Sequence, residues 1–359
     1  MLSGVLAALY RNLTRHRRPV SLYGFLALTV LPALLPVLSA RDKAIVTSAE
    51  ALVSKELWYT VLVAGLLGAI GAVLQSVLYG TVTLLPGGKC TTAFTAGGGV
   101  ASLLLCALRI FSRLLLDGDT ADSLLALKPG FSAFFITCSA LCGTCVIVFL
   151  CLDRQNSFYK EHVSPADARQ EVMISKSFRE NLRGTRLILE EISRPAWCAF
   201  ISFVITLALF PGIMVQIPVP LRATVTSTLS SWYPLLVVSL FAVGDTVGRA
   251  GLTEQIALRF PTLLPLLTLA RVICVPLYLA QWIGLIPVNW IIVMTGVVLL
   301  GVGNGVIITL AFLWVPSLTS LENREVAGRL MFVMLICGMS CGNALGWLVE
   351  TMLRRTTGF

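Results

Sequence analysis

The sequence places an acidic and a basic side chain four residues apart within a long apolar stretch. Asp245 and Arg249 belong to the segment Gly244-Asp-Thr-Val-Gly-Arg249, which follows a run rich in leucine and valine. Residues four apart share one face of a helix, so the two side chains can pair. Facing a cavity, they could bind the hydrogen-bond donors and acceptors of a polar solute. At a helix end, they could equally form an ion pair whose charges reach water.

Three further polar side chains lie inside apolar stretches, where polar groups are costly and are candidates for function. Gln75 offers both donors and acceptors, which suits the edge of a heterocyclic base, although a hydrogen bond between helices is the alternative. Arg271 needs a carboxylate or carbonyl groups around it, and Asn304 is a weaker candidate of the same kind.

No arrangement typical of catalysis or of a bound metal occurs in the sequence. Its two histidines lie in hydrophilic segments. Cys138, Cys142 and Cys145 share one helical face, but a metal site wants four ligands, so we interpret them as small residues packed between helices. We predict neither an enzyme nor a bound metal or cofactor.

These polar residues belong to a strongly apolar chain. Of its 359 residues, 57% are hydrophobic and 13% are charged, with a mean hydropathy of +0.87. A soluble domain carries about 25% charged residues, so we predict an integral, multi-pass membrane protein in a lipid bilayer. The net charge is +9. Because the basic residues lie mostly between apolar stretches, they indicate membrane orientation and no nucleic-acid partner.

Nine apolar stretches are long enough to cross a membrane. Backbone groups in hydrocarbon must be satisfied internally, so such stretches form helices, and each needs about 20 residues. We predict an all-α, polytopic transmembrane helical bundle of about nine spans. The expected spans are 19–40, 57–85, 90–113, 129–152, 195–217, 231–250, 262–283, 286–315 and 327–350.

One sizeable hydrophilic stretch divides the chain. We predict an N-terminal helix bundle of four spans at 1–152, a cytoplasmic loop at 153–194 and a C-terminal helix bundle of five spans at 195–359. Lysine and arginine are more numerous on the side of the membrane that holds 1–18 and 153–194, which places these segments in the cytoplasm. The acidic cluster Asp117, Asp119 and Asp122 then falls outside.

An ordered series of short motifs resembles the equilibrative nucleoside transporter family. The most specific is Asp-x-x-Gly-Arg at Asp245, Gly248 and Arg249, after the large loop. The others run in order along the chain: Gly71-Ala-Val-Leu-Gln75 with Gly80 and Leu84-Leu85-Pro86, Phe210-Pro211, Leu269-Ala270-Arg271 with Pro276, Asn304-Gly305 before Pro316, and Ala327-Gly328 with Gly338 and Gly342. Each motif is weak alone, and the ordered set is specific.

The resemblance implies a major-facilitator-like fold of eleven helices, with six before a cytoplasmic loop and five after it. It implies transport of nucleosides or nucleobases, purines among them, by alternating access. Such transport is either facilitated or coupled to protons, and the plasma membrane is the expected location.

The resemblance also implies roles for individual residues. The family's substrate-binding positions carry over to Gln75, Phe210, Asp245 and Arg249. In such proteins the glutamine contacts the base, the charged pair engages the sugar side and the phenylalanine lines the cavity. The candidates for structural or gating roles are Arg271, Asn304, Gly338 and Gly342.

The sequence departs from the family pattern in three places that bear on function, one of which is Ala242, three residues before Asp245, where some members carry asparagine. The 19–40 span is similar to the third helix of the family, so we expect this chain to lack the first two helices. Where members often have Gly-Gln-Gly or Gly-Asn-Gly, it has Gly97-Gly98-Gly99. The segment Ala107-Leu-Arg-Ile110 is most similar to protozoan members. The departures leave two alternatives open: a transporter of another small organic solute on the same scaffold, or a truncated, non-transporting family member.

Overall fold

Helices account for every regular element in the part of the chain that the structure describes. This computed structural model describes residues 17–45, 49–116, 128–163, 178–210, 213–214, 227–250, 252, 254–260, 262–287 and 289–357. The helices are α1 Arg17–Ile45, α2 Ala49–Leu84, α3 Lys89–Leu116, α4 Lys128–Gln155, α5 Phe178–Glu191, α6 Ser193–Leu209, α7 Ser227–Arg249, α8 Glu254–Arg259, α9 Leu263–Ala270, α10 Cys274–Trp282, α11 Trp290–Leu318 and α12 Arg324–Thr357.

Seven helical stretches in the described residues are long and apolar enough to cross a membrane. They are Arg17–Leu38, Leu57–Leu84, Lys89–Leu116, Pro129–Gln155, Leu263–Gln281, Ile291–Leu318 and Arg324–Met352. An eighth is added if the bent pair Arg183–Glu191 and Ser193–Leu209, with 78° between its halves, is one span. The polytopic helical character is as predicted. The described residues give seven or eight such spans where nine are expected in the whole chain, and α7, at the expected 231–250 span, is not among them.

The expected span 195–217 is not one continuous helix. Helix α6 ends at Leu209, and Phe210 is extended, with φ −123° and ψ 135°. The cause is Pro211, since a proline ring clashes with a helical conformation of the residue before it. The Phe210 N–H still reaches the Thr206 carbonyl oxygen at 2.7 Å and closes the last turn.

The expected span 262–283 is interrupted by one tighter turn. A 3-10 turn at Arg271–Ile273 separates α9 from α10. Pro276 lies just beyond and has no N–H to bond to the carbonyl of Val272, which weakens the regular helix at this point. The interruption falls at Arg271, one of the polar residues singled out above.

Helix α11 begins later than predicted, at Trp290, because Asn289 caps its N-terminus. The Asn289 side chain accepts a hydrogen bond from the Ile291 N–H at 2.9 Å, which satisfies one free donor of the first turn.

The chain divides into two compact units. The first comprises Met1–Thr81 and Leu108–Gly184. In it α1 packs along α4, where the Ser139 hydroxyl donates to the Thr29 carbonyl and the rings of Phe25 and Phe149 lie 5.7 Å apart.

The second unit comprises Val82–Ala107 and Thr185–Phe359. In it α7 packs against α11, α12 packs against α6, and α6 also contacts α11. Its buried apolar core draws on α6, α7, α10 and α11, through Ile205, Leu209, Phe210, Ile213, Met214, Val237, Tyr278, Val293, Val297 and Leu300. Polar residues inside this unit are therefore surrounded by apolar helices.

Candidate functional site

Asp245 and Arg249 form the ion pair that their spacing predicts. Both lie in the last turns of α7, and the Arg249 Nε atom donates to Asp245 Oδ2 at 2.8 Å. The Asp245 side chain is 5% exposed and the Arg249 side chain 12% exposed. The Arg249 Nη1 atom donates to the Thr95 carbonyl oxygen of α3 at 3.1 Å. The pair is thus held between helices of the second unit.

Asn304 of α11 supplies a second donor to the same carboxylate. Its Nδ2 atom lies 2.7 Å from Asp245 Oδ1, and the residue is buried. Each carboxylate oxygen of Asp245 thus receives a hydrogen bond, one from a guanidinium and one from an amide. A buried carboxylate needs such donors, because an unpaired buried charge is strongly destabilising.

Two hydroxyls connect this carboxylate to the buried Arg271. The Thr206 hydroxyl lies 3.3 Å from Asn304 Oδ1, and Arg271 Nη2 donates to Thr206 Oγ1 at 2.5 Å. The Arg271 Nη1 atom donates to the Ser202 hydroxyl at 2.6 Å. Asp245, Arg249, Asn304, Thr206, Arg271 and Ser202 form one continuous chain of hydrogen bonds, which we call the polar network.

Close approach of the α7 and α11 backbones brings Asn304 to Asp245. A Cβ atom added to Gly248 would collide with the backbone carbonyl of Val302. From the α11 side, a Cβ atom added to Gly305 would lie 2.9 Å from the backbone nitrogen of Arg249 in α7. The glycine of the Asp-x-x-Gly-Arg motif therefore has a packing role. The same close approach recurs one turn earlier at Gly244 and Gly301.

The triple glycine of α3 lies against Arg249. A Cβ atom at Gly98 would lie 3.2 Å from Arg249 Nη1, and one at Gly99 would lie 2.9 Å from the Thr246 Cα atom. A Cβ atom at Gly97 would meet nothing within 4 Å. Position 98 is exposed and adjoins the guanidinium.

The other two predicted substrate-binding residues are not members of the polar network. Phe210 is buried in the apolar core, where its ring stacks on that of Phe241 with centroids 4.2 Å apart and an interplanar angle of 15°. Gln75 is an exposed residue of α2 and belongs to the first unit. Their substrate contacts stay predictions.

Gly338 and Gly342 lie where α12 crosses α6. A Cβ atom at Gly338 would lie 2.5 Å from the Phe200 carbonyl oxygen, and one at Gly342 would lie 2.8 Å from that of Phe203. Their missing side chains allow the two helices to approach closely, as small residues do between membrane helices.

Sequence reasoning missed Thr206, Ser202 and a second buried ion pair. Hydroxyls are common in membrane helices, so nothing local marks Thr206 and Ser202. Glu325 and Arg329 also pair within α12, and their side chains are 3% and 2% exposed. The four-residue spacing that identified Asp245 and Arg249 could have found them. Among the described residues, no group of three or more His, Cys, Asp or Glu side chains could hold a metal ion.

The chain is similar to known proteins along most of its length. A family model described as "Nucleoside transporter" matches residues 61–351. Equilibrative nucleoside transporter 3 of Rattus norvegicus is 25% identical over 309 residues, which cover 79% of this chain and 63% of the relative. Equilibrative nucleotide transporter 8 of Arabidopsis thaliana is 24% identical over 292 residues, covering 79% and 67%.

A protozoan protein shows a similar relationship over a shorter region. Nucleoside transporter 2 of Leishmania donovani is 30% identical over 152 residues, which cover 41% of this chain and 28% of that protein. The rat relative above is matched over less than two thirds of its own length.

Proposed function

This chain belongs to the nucleoside transporter family, and from that premise we propose that it carries nucleosides or nucleobases across a membrane by alternating access. The observation that supports this most is the buried Asp245, which is paired with Arg249 and Asn304 between apolar helices. A buried ionised pair is costly in such a place and marks a candidate solute site.

The chemistry of the Asp245 carboxylate and the Arg249 guanidinium suits a nucleoside. A carboxylate accepts hydrogen bonds from hydroxyl and amino groups, and a guanidinium donates to carbonyl oxygens, ring nitrogens and hydroxyl oxygens. Arg249 uses Nε and Nη1 within the protein, and no hydrogen bond to a described residue engages Nη2. We propose that Asp245 and Arg249 bind the cargo, and that Gln75 and Phe210 contribute as the family resemblance implies.

We also propose the plasma membrane as the location, with protons as a second partner if transport is coupled. Uptake that does not respond to a protonophore would argue against proton coupling. Fluorescence of a tagged chain at the cell edge would support the location.

The experiment that tests the function is uptake of radiolabelled adenosine and hypoxanthine. Transporter-deficient cells expressing residues 1–359 are compared with cells that carry an empty vector. Saturable uptake of either compound above the empty-vector level supports the proposal. Background uptake by cells with the protein at their surface would contradict it.

A second candidate is transport of another small organic solute on the same scaffold. Gly98 favours it, because no side chain reaches Arg249 from this position, where the family resemblance implies a polar one. A competition panel of bases, nucleosides and organic cations separates the two. If only nucleosides and bases compete, the first candidate stands.

A further inference from the structure

Arg271 lies in the interior of the second unit and bonds hydroxyls. The residue is 6% exposed and begins the 3-10 turn between α9 and α10. Its Nη1 and Nη2 atoms donate to Ser202 Oγ and Thr206 Oγ1, both on α6. In the part of the chain that the structure describes, no ion pair joins it to a carboxylate within 4.0 Å. The Arg271 guanidinium therefore influences its neighbours by determining where the protons of these two hydroxyls point.

The direction of each hydrogen bond follows from the chemistry of the groups. A guanidinium only donates, so the Thr206 oxygen accepts from Arg271 and its single proton must point elsewhere. Two acceptors lie within reach, the Ser202 carbonyl at 2.7 Å and Asn304 Oδ1 at 3.3 Å. With either acceptor, the Thr206 proton points away from Arg271.

The same reasoning sets the orientation of the Asn304 amide. An ionised carboxylate only accepts, so the amide nitrogen must face Asp245 and the amide oxygen must face Thr206. A flipped amide would place its oxygen against the Asp245 carboxylate, so that two acceptors would meet with no proton between them. Asp245 selects this orientation of Asn304, and Arg271 supports it from the other end by leaving the Thr206 proton available to Asn304 Oδ1.

We propose that Arg271 is a positioning residue for cargo binding. Through Thr206 and Asn304, it holds the amide donor that orients the Asp245 carboxylate, and so it sets the affinity for the hydrogen-bond donors of the cargo. This inference rests on the proposed transport function. It assigns Thr206 a role that Ser202 does not share, although both residues bond Arg271.

The test compares two variants that each remove one hydroxyl partner of Arg271. Thr206→Val keeps the side-chain shape and breaks the connection to Asn304, whereas Ser202→Ala leaves that connection in place. We expect Thr206→Val to raise the KM for adenosine uptake about tenfold, the size expected for a lost hydrogen bond in a charged network. We expect Ser202→Ala to change KM by less than about twofold, and Thr206→Ser to restore the wild-type KM.

Maximal uptake per transporter at the cell surface separates positioning from folding. If Arg271 positions Asp245, this quantity stays within about twofold of wild type in Thr206→Val, because only substrate affinity changes. If equal KM values are found for Thr206→Val and Ser202→Ala, the inference is overturned. The same holds if Thr206→Ser fails to restore KM, or if Thr206→Val lowers only surface abundance.

A double-mutant comparison tests the route through Asn304. Residues in contact have coupled effects, so adding Thr206→Val to Asn304→Ala should not change KM further. Ser202→Ala acts independently, so adding it to Asn304→Ala should multiply the two single changes in KM. If uptake by Asn304→Ala is too slow to measure, the rise in melting temperature of the purified protein with adenosine replaces KM. Independent effects of Thr206→Val and Asn304→Ala would contradict the proposed route.

Uptake by the wild-type protein shows whether a negative result refutes the proposed function or only the positioning role of Arg271. If it shows no saturable uptake of adenosine or hypoxanthine, the proposed function itself fails. If it transports and the Thr206 and Ser202 variants behave alike, only the positioning role of Arg271 is wrong.

Discussion

At the scale of single residues, two buried ion pairs share the same four-residue spacing but differ in their surroundings. Asp245 and Arg249 belong to a network that extends over α3, α6, α7, α11 and the 3-10 turn at Arg271. Glu325 and Arg329 pair within one helix and are almost fully inaccessible. We therefore propose that the first pair binds the cargo and that the second stabilises the fold.

Removal of Glu325 should destabilise the protein. Glu325→Ala withdraws this carboxylate from the buried Arg329, and breaking a buried pair costs about 3–5 kcal/mol. The melting temperature of the detergent-solubilised protein should fall clearly. The matched control is Glu190→Ala, since Glu190 pairs with Arg186 at the same spacing but is 58% exposed, and such pairs contribute about 0–1 kcal/mol. Equal melting temperatures for the two variants would contradict this assignment.

A side chain at position 98 should weaken cargo binding through Arg249. Gly98→Ala places a methyl group 3.2 Å from Arg249 Nη1, so the guanidinium must shift and part of it is covered. We expect the KM for adenosine to rise by about threefold to tenfold, the range of a weakened charged hydrogen bond. Gly97→Ala is the control, because its methyl group meets nothing within 4 Å. If both variants behave like wild type, Arg249 does not bind the cargo from this side.

Part of the polar network could be predicted from the sequence, and the rest depends on tertiary structure. The Asp245–Arg249 pair follows from helical periodicity alone. Asn304 is 59 positions further along the chain, and its partner is set by the crossing of α7 and α11. Arg271 was expected to need carboxylate or carbonyl partners, whereas it bonds two hydroxyls of α6.

At the scale of helices, glycines set the distances on which the polar network depends. Gly248 of α7 and Gly305 of α11 bring the two backbones into direct contact beside Asp245. Larger side chains there would push the helices apart and carry the Asn304 amide away from the carboxylate. The position of a polar contact is thus determined by residues that have no side chain.

Gly248→Ala should separate α7 from α11. Its methyl group would overlap the Val302 carbonyl oxygen, which is backbone and cannot move aside alone. Overpacking of this kind typically costs about 1–3 kcal/mol, so melting temperature and uptake should both fall. Gly71→Ala is the control, because the added methyl group meets nothing within 4 Å, and alanine in a helix stabilises by up to about 1 kcal/mol. A wild-type melting temperature for Gly248→Ala would contradict the proposed contact.

The length of the apolar stretches predicts that helices form there, but it does not predict the residues at which the helices begin and end. Prolines and caps decide the ends: Pro211 stops α6, Pro276 follows the 3-10 turn at Arg271, and Asn289 starts α11. These residues lie inside or beside long apolar stretches, so the hydropathy profile does not reveal where a helix ends. Only Pro211 bears on the number of spans in the described residues, since it ends α6 early, whereas Leu263–Gln281 and Ile291–Leu318 are still long enough to cross a membrane.

At the scale of the whole molecule, the distribution of charge predicts orientation in the membrane. Lysine and arginine concentrate on one side, which contains 153–194, and the acidic cluster Asp117, Asp119 and Asp122 falls on the other. The acidic cluster lies wholly outside the described residues and the segment 153–194 lies partly outside them, so orientation rests on the sequence.

Epitope insertion tests this orientation. A tag inserted after residue 170 should bind antibody only in permeabilised cells, because positive segments stay in the cytoplasm. A tag inserted after residue 120 should bind antibody on intact cells. The reverse pattern would show the opposite orientation. Equal staining of both tags on intact cells would show that the one expected span between them, 129–152, does not cross the membrane.

The most direct test of the central claim is adenosine uptake by the Asp245→Ala variant, measured beside wild type and Glu190→Ala at equal surface abundance. Asp245 is the acceptor on which the proposed site depends, so its removal should lower uptake at least about tenfold, while the exposed Glu190 should be dispensable. Uptake near background in Asp245→Ala with wild-type uptake in Glu190→Ala is the predicted result. Undiminished uptake by Asp245→Ala would show that the cargo binds elsewhere.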